Sequence, residues 1–186
     1  NYIRKKNDRS KKKFVKSNLI PKRVLFAPTL LRGVFQYFKP MFPDSIIFSL
    51  QKDIFKTLKR SNLHIDYLPH PEGIIPKKHH PLLSNHKLSE TSFEEVYKDY
   101  DIIVFDYILS SISVSALCSD KPIIFFDVYK DKFQKEFQKE LQNRCKIIDC
   151  SYKSNRVLFD NDHLLNHILS IKTNKDGFWF RELYNI

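Results

Sequence analysis

Three groups of polar residues interrupt otherwise apolar stretches of this 186-residue chain. Thr29, Arg32 and Gly33 follow "RVLFAP". His70 and Glu72 follow "IDYLP". Asp106, Tyr107, Ser110 and Ser111 follow "DIIVF", and Asp127 closes the next apolar run, "PIIFF". Hydroxyls, an arginine and a histidine are the groups that hold a phosphate by charge-assisted hydrogen bonds. The two serines precede an apolar helical run. They therefore stand at a helix N-terminus, where free N–H groups and the macrodipole favour an anion. His70 adds a group able to give or take a proton near neutral pH. Each residue also has a plainer reading: Ser110 and Ser111 as helix caps, His70 bonded to loop backbone, Arg32 as a surface cation, Asp106 as a turn cap.

Other chemistries find less support. With glycine only at 33, 73 and 177, both the G-x-G-x-x-G fingerprint and the Walker A loop are missing, so phosphate must be held by helix ends and side chains. His70, His79, His80 and His86 crowd one segment, but their spacing is irregular and no thiolate is near, so no metal cofactor is expected. Cys118, Cys145 and Cys150 are odd in number and form no Cys-x-x-Cys pair, which predicts reduced, buried thiols.

The elements that must position these groups alternate. "RVLFAPT" is a short buried strand, and residues 45–60 carry Ile46, Ile47, Leu50, Ile54, Phe55 and Leu58 at helical spacing, with Asp44 or Ser45 as N-cap. A second strand ends at Pro69, and the proline-rich stretch that follows is a long loop. "SETSFEEVYKDY" opens a helix with a capping-box spacing from Thr91 or Ser92. A strand over Ile102–Phe105, a helix through Ala116 and Leu117, and a strand over 122–126 come next. The spacing of Tyr129, Phe133, Phe137 and Leu141 predicts a helix over 129–144; "CKIIDC" is a short strand, and "DNDHLLNHILSIK" a capped helix. About five such alternations predict an α/β class, a Rossmann-like three-layer domain with a mainly parallel sheet. Three regions follow: a basic lead-in over 1–22, the domain over 23–172, and an aromatic tail over 173–186. The tail would pack on its own domain or cross to a partner domain. In an open parallel sheet, ligands bind outside the carboxyl ends of the strands, which is where the polar groups fall.

The net charge of +11 is unevenly placed. Residues 1–23 hold ten basic residues against Asp8 alone, which makes +9 and leaves +2 for the rest. Such a run is a solvated linker or a segment drawn to anionic lipid headgroups, at about 1 kcal/mol per basic residue. Nucleic acid is a weaker partner, because only Phe14 interleaves with the lysines. No apolar run reaches the roughly 18 residues of a membrane span and no secretory signal opens the chain. The expectation is a cytoplasmic protein, peripheral at the inner membrane face if the lead-in serves as an anchor.

"VLFAPTLLRG", "IDYLPHPEG" and "YDIIVFDYILSS…CSDKPIIFFD" resemble, in order and spacing, the C-terminal half of CDP-glycerol glycerophosphotransferase-like and related GT-B glycosyltransferases of surface polysaccharide synthesis. The similarity covers roughly residues 23–130. It implies a GT-B C-terminal half that binds a nucleotide-activated sugar or polyol phosphate, with an N-terminal domain for the acceptor. It places Thr29 and Arg32 near the donor phosphates, His70 at the catalytic or phosphate-contacting position, and Asp106, Tyr107, Ser110 and Ser111 on the diphosphate. Ser115 falls at the ribose-binding position, where many relatives have a glutamate. That difference keeps a non-catalytic nucleotide-sugar-binding domain as one alternative. A basic module acting through its lead-in, on a membrane surface or on nucleic acid, is the other.

The lead-in makes a separable prediction. A chain beginning at Pro21 should lose binding to anionic vesicles, and binding by the full chain should fade as salt shortens the screening length to about 10 Å and below. Equal binding by the shorter chain would remove the lead-in from any membrane role.

Overall fold

The computed structural model describes residues 22–33, 42–108, 110–130, 133–171 and 177–184. The lead-in up to residue 21 and residues 173–176 and 185–186 of the tail lie outside the described residues. In chain order the elements are β1 (Arg23–Phe26), α1 (Asp44–Lys59), β2 (His64–Tyr67), α2 (Phe93–Val96), β3 (Ile102–Phe105), α3 (Ser111–Cys118), β4 (Ile123–Asp127), α4 (Lys135–Arg144), β5 (Cys145–Lys153), β6 (Arg156–Phe159), α5 (Asn161–Ser170) and α6 (Phe178–Tyr184).

The six strands form one sheet in the order β2-β1-β3-β4-β5-β6, parallel except for β6. This is the expected Rossmann-like three-layer α/β fold. Its strands read as unbroken apolar runs because both faces are covered. Val24 and Phe26, Ile102 and Val104, and Ile124 and Phe126 point to the layer holding Leu50, Ile54 and Leu58 of α1 and Leu164 and Ile168 of α5. Their neighbours Leu25, Ile103, Phe105, Ile123 and Phe125 point to the layer of α2, α3, α4 and α6. Each such side chain, fully buried, contributes about 1.5–3 kcal/mol.

Four local expectations are corrected. Asp44 does not cap α1; Pro43 holds that position, and the Asp44 carboxylate instead accepts from the Gly33 N–H. The Ser92–Glu95 capping box forms, but α2 lasts one turn. Tyr100 leaves it to bury its ring, where its hydroxyl donates to Asp66 Oδ2 at 2.7 Å. The helix expected over 129–144 begins only at Lys135, because Lys130 sits at φ 52° and its Nζ bridges Asp127 (3.3 Å) and Asp149 (3.0 Å). "CKIIDC" continues to Lys153 and turns back into β6. Ser154 (φ 51°) and Asn155 (φ 58°) make that reversal, a two-residue hairpin with both central residues left-handed.

The aromatic tail packs on its own domain. Phe180 is buried, and Trp179 lies half-buried between Phe137 (6.2 Å) and Phe180 (4.9 Å). It enters over the C-terminus of α3, where a Cβ on Gly177 would sit 2.6 Å from the carbonyl oxygens of Leu117 and Ser119. Two arginines hold that same helix end. Arg144 donates to Leu117 O and Ala116 O, both at 3.0 Å, and Arg181 donates to Cys118 O at 2.7 Å. Cations here complement the carbonyl end of the helix.

Trp179 is the only tryptophan, so its emission reports on this docking. It should be blue-shifted and partly protected from acrylamide in the full chain, and Gly177→Val should red-shift it and expose it to quencher. Emission of a fully water-exposed indole in the unsubstituted chain would show that α6 is not docked.

Candidate functional site

The chain leaves β1 to one side, through α1 to β2, and reaches β3 on the other. A crevice therefore opens at the carboxyl ends of β1 and β3, the position at which doubly wound sheets bind ligands. Thr29 follows β1 there, and Asp106 follows β3.

Asp106 is only 2% exposed. Its Oδ1 accepts from the Thr29 N–H at 2.5 Å and its Oδ2 from Gln51 Nε2 at 2.9 Å. Gln51 Nε2 also donates to Thr29 O at 2.9 Å, and its Oε1 accepts from the Tyr67 hydroxyl at 3.0 Å. The Tyr67 oxygen lies 3.3 Å from His80 Nε2, with the two rings stacked at 4.7 Å. Leu82 N donates to His80 Nδ1 at 3.3 Å, which leaves Nε2 as the protonated nitrogen of a neutral ring. The proton order then runs one way, from His80 to Tyr67 to Gln51 to Asp106. Burial lowers the pKa of His80, and burial first and the Asp106 charge second raise that of Tyr67, so both stay neutral in this network.

On the solvent side of Thr29 lies a cleft of about 180 Å³ lined by Thr29, Leu30, Arg32, Phe42, Asp44, Ile47, Tyr107 and Tyr129. Tyr107 and Tyr129 meet edge to face at 5.0 Å, and Phe42 lies 5.9 Å from Tyr129. The turn that carries Arg32 closes at Gly33, which has φ 72° and whose Cβ would lie 2.3 Å from Ile74 Cδ1. Its left-handed backbone favours glycine there, whereas the exposed Ile74 tip could move aside. One exposed cation, one backbone turn with a hydroxyl, and a wall of rings suit an anionic ligand that also carries a flat ring.

The other predicted residues are placed around this cleft, not all in it. His70 is half-buried, and its Nδ1 accepts from the Glu72 N–H at 3.1 Å. With Thr29 it lines a separate cavity of about 10 Å³, the room of one water. Desolvation lowers its pKa, outweighing the opposing Glu72 charge, with Lys77 lowering it further, so the ring is neutral at pH 7 and its proton sits on Nε2. Asp106 faces inward, so it orders the Thr29 turn without reaching the cleft. Ser110 is the N-cap residue of α3, yet its side chain makes no capping bond, and its hydroxyl is shielded. Ser113 instead donates back to Ile108 O and Ser110 O. Ser111 is exposed and Ser115 half-buried one turn further along α3; neither lines the cleft.

Gln51, Tyr67, His80, Phe42 and Tyr129 escaped sequence reasoning. Gln51 carried a signal, being the one amide among Ile47, Leu50, Ile54 and Leu58 on the buried face of α1. Nothing in the sequence separates His80 from His79 or His86. Among the described residues no three His, Cys, Asp or Glu side chains group so as to hold a metal ion. No family model, curated protein or solved structure matches the chain. What the cleft can do follows from its own groups.

Asp106 makes the site pH-sensitive. Burial, outweighing the hydrogen bonds from Thr29 and Gln51, pushes its pKa up to about 6 from 3.8. The native state keeps this proton up to about pH 6, whereas the unfolded chain releases it near pH 4. Between the two the native state binds more protons, so stability contributed by Asp106 falls as pH rises, by on the order of 2–3 kcal/mol, and stays lost above. Asp106→Asn cannot ionise. The urea midpoint of the wild type relative to that variant should therefore drop between about pH 4 and 6 and be flat above. A pH-independent difference would show that Asp106 titrates in the ordinary carboxylate range.

Proposed function

We propose that the chain is the donor-binding domain of a GT-B-type transferase, one that takes a nucleotide-activated sugar or polyol phosphate for synthesis of a surface polysaccharide or teichoic-acid-like polymer. The observation that carries the reading is the cleft at the β1/β3 switch, lined by Arg32 and Thr29 together with Tyr107, Tyr129 and Phe42. In this reading the rings take the base, and Arg32 and the Thr29 turn take the phosphates. Charge that develops on the departing nucleotide is stabilised by these fixed donors. His70 lines the small neighbouring cavity and not this cleft, and with its proton on Nε2 it is not set to remove a proton from a ligand bound beside Arg32. The acceptor would be presented by an N-terminal domain working beside this one. A second reading, donor binding without transfer, is favoured by Ser115, which lines neither cavity beside Thr29.

A thermal-shift screen of CDP-, UDP- and GDP-linked ligands tests the proposal. At least one should raise the melting temperature of the full chain, and Arg32→Ala should weaken its binding about tenfold, the scale of one charged hydrogen bond. No stabilisation by any of them would sink the reading. Because the Ser110 hydroxyl is shielded and Ser111 lies outside the cleft, Ser110→Ala with Ser111→Ala should leave that affinity unchanged with an intact fold; a loss of roughly 1–3 kcal/mol would bring the serines into the site.

A further inference from the structure

A second pocket lies elsewhere on the molecule. It measures about 290 Å³ and is lined by Asp53, Lys56 and Thr57 of α1, by Arg60 at its C-cap, by β6, and by Asn161 at the start of α5. These four residues fall at i, i+3, i+4 and i+7, one stripe of the helix continued into its C-cap. Asp44 and Ile47 of the same helix line the cleft described above. Twelve residues of helix between Asp44 and Lys56 separate the two places by about 18 Å along the axis.

The side-chain groups of this pocket are arranged as donors. Thr57, 5% exposed, gives its hydroxyl proton to Asn161 Oδ1 at 2.8 Å, which turns the Asn161 amide nitrogen outward. Asp53 holds Arg156 Nη2 at 2.7 Å and so fixes a guanidinium that has further N–H groups to offer. Asp160, next along the chain, accepts from the Asp162 and His163 N–H groups and so is occupied in capping α5. Lys56 and Arg60 make no side-chain hydrogen bond or ion pair with the described residues, and both are exposed. Three cations thus face one carboxylate, and that carboxylate is already paired. Val157 and Phe159, on the face of β6 turned to α1, supply an apolar floor beside them.

We propose that this pocket binds the phosphate group of an organic phosphate. Lys56, Arg60, the free N–H groups of Arg156 and the Asn161 amide take the oxygens, and the body of the ligand rests over Val157 and Phe159. Oxyanions with several acceptor oxygens match a site of converging donors, and arginine's fork matches two of them at once. The proposal stands independently of the cleft at the β1/β3 switch.

Pyrophosphate is the probe, titrated into the full chain and followed by calorimetry and by amide shifts in ¹⁵N-labelled protein. Saturable binding should shift residues around 56–61 and 156–161. Lys56→Gln with Arg60→Gln, both exposed positions, should weaken it at least about tenfold, whereas Arg32→Ala should leave these shifts unchanged. Vesicles containing phosphatidate identify the source of the phosphate. Dependence of vesicle binding on Lys56 and Arg60, without a response to pyrophosphate, supports the same phosphate site with a lipid headgroup as its occupant. Undiminished binding in the double variant, shifts confined to residues near 29–33 and 107–111, or no binding to either probe would overturn the proposal.

Discussion

The carboxylate of Asp106 organises the edge of the sheet at which β1 and β3 part. A buried anion costs several kcal/mol unless hydrogen bonds replace its water. Here the Thr29 N–H and Gln51 do so, one from the turn after β1 and one from the middle of α1. Three elements that meet nowhere in sequence are tied through two oxygen atoms. The raised pKa measures what those bonds leave uncompensated. Because the Thr29 amide is held, the turn running on to Gly33 has a fixed start, and the Gly33 N–H, taken by Asp44, gives it a fixed end. Arg32 is displayed between these two anchors.

Helix α1 gains a double use from this arrangement. Its buried face supplies Leu50, Ile54 and Leu58 to the core and Gln51 to the Asp106 network. Its first turn borders the cleft, and its last turn and C-cap carry Lys56 and Arg60 beside β6. The opposite layer is closed differently. There the carbonyl end of α3 is capped by Arg144 from α4 and Arg181 from α6, so the tail is held by charge as well as by Phe180. The sheet thus keeps its carboxyl edge open for a ligand while both its faces are sealed.

Much of the fold was legible in the residues themselves. Buried parallel strands need continuous apolar runs, and "RVLF", "IIVF" and "IIFFD" supply them with turn residues on either side. The β5–β6 hairpin was not legible, because a Ser-Asn pair lacks the glycine that normally marks a left-handed two-residue turn. Tyr129 was assigned to a helix by spacing alone. The left-handed Lys130 ends that pattern and leaves Tyr129 to the cleft.

By itself, then, the sequence determined the class of fold, the order of its strands along the chain and the edge at which polar residues collect. Hydrophobic periodicity and chain punctuation are local properties, and they carry that information. Tertiary structure alone decided which of those polar residues share a space. Thr29, Arg32 and Tyr107 converge; Asp106 turns inward; Ser111 and Ser115 remain on α3. That sorting depends on contacts such as Thr29 to Asp106 and His80 to Tyr67 to Gln51, which span many residues and are set by how the strands are ordered in space. No pattern within one segment encodes them.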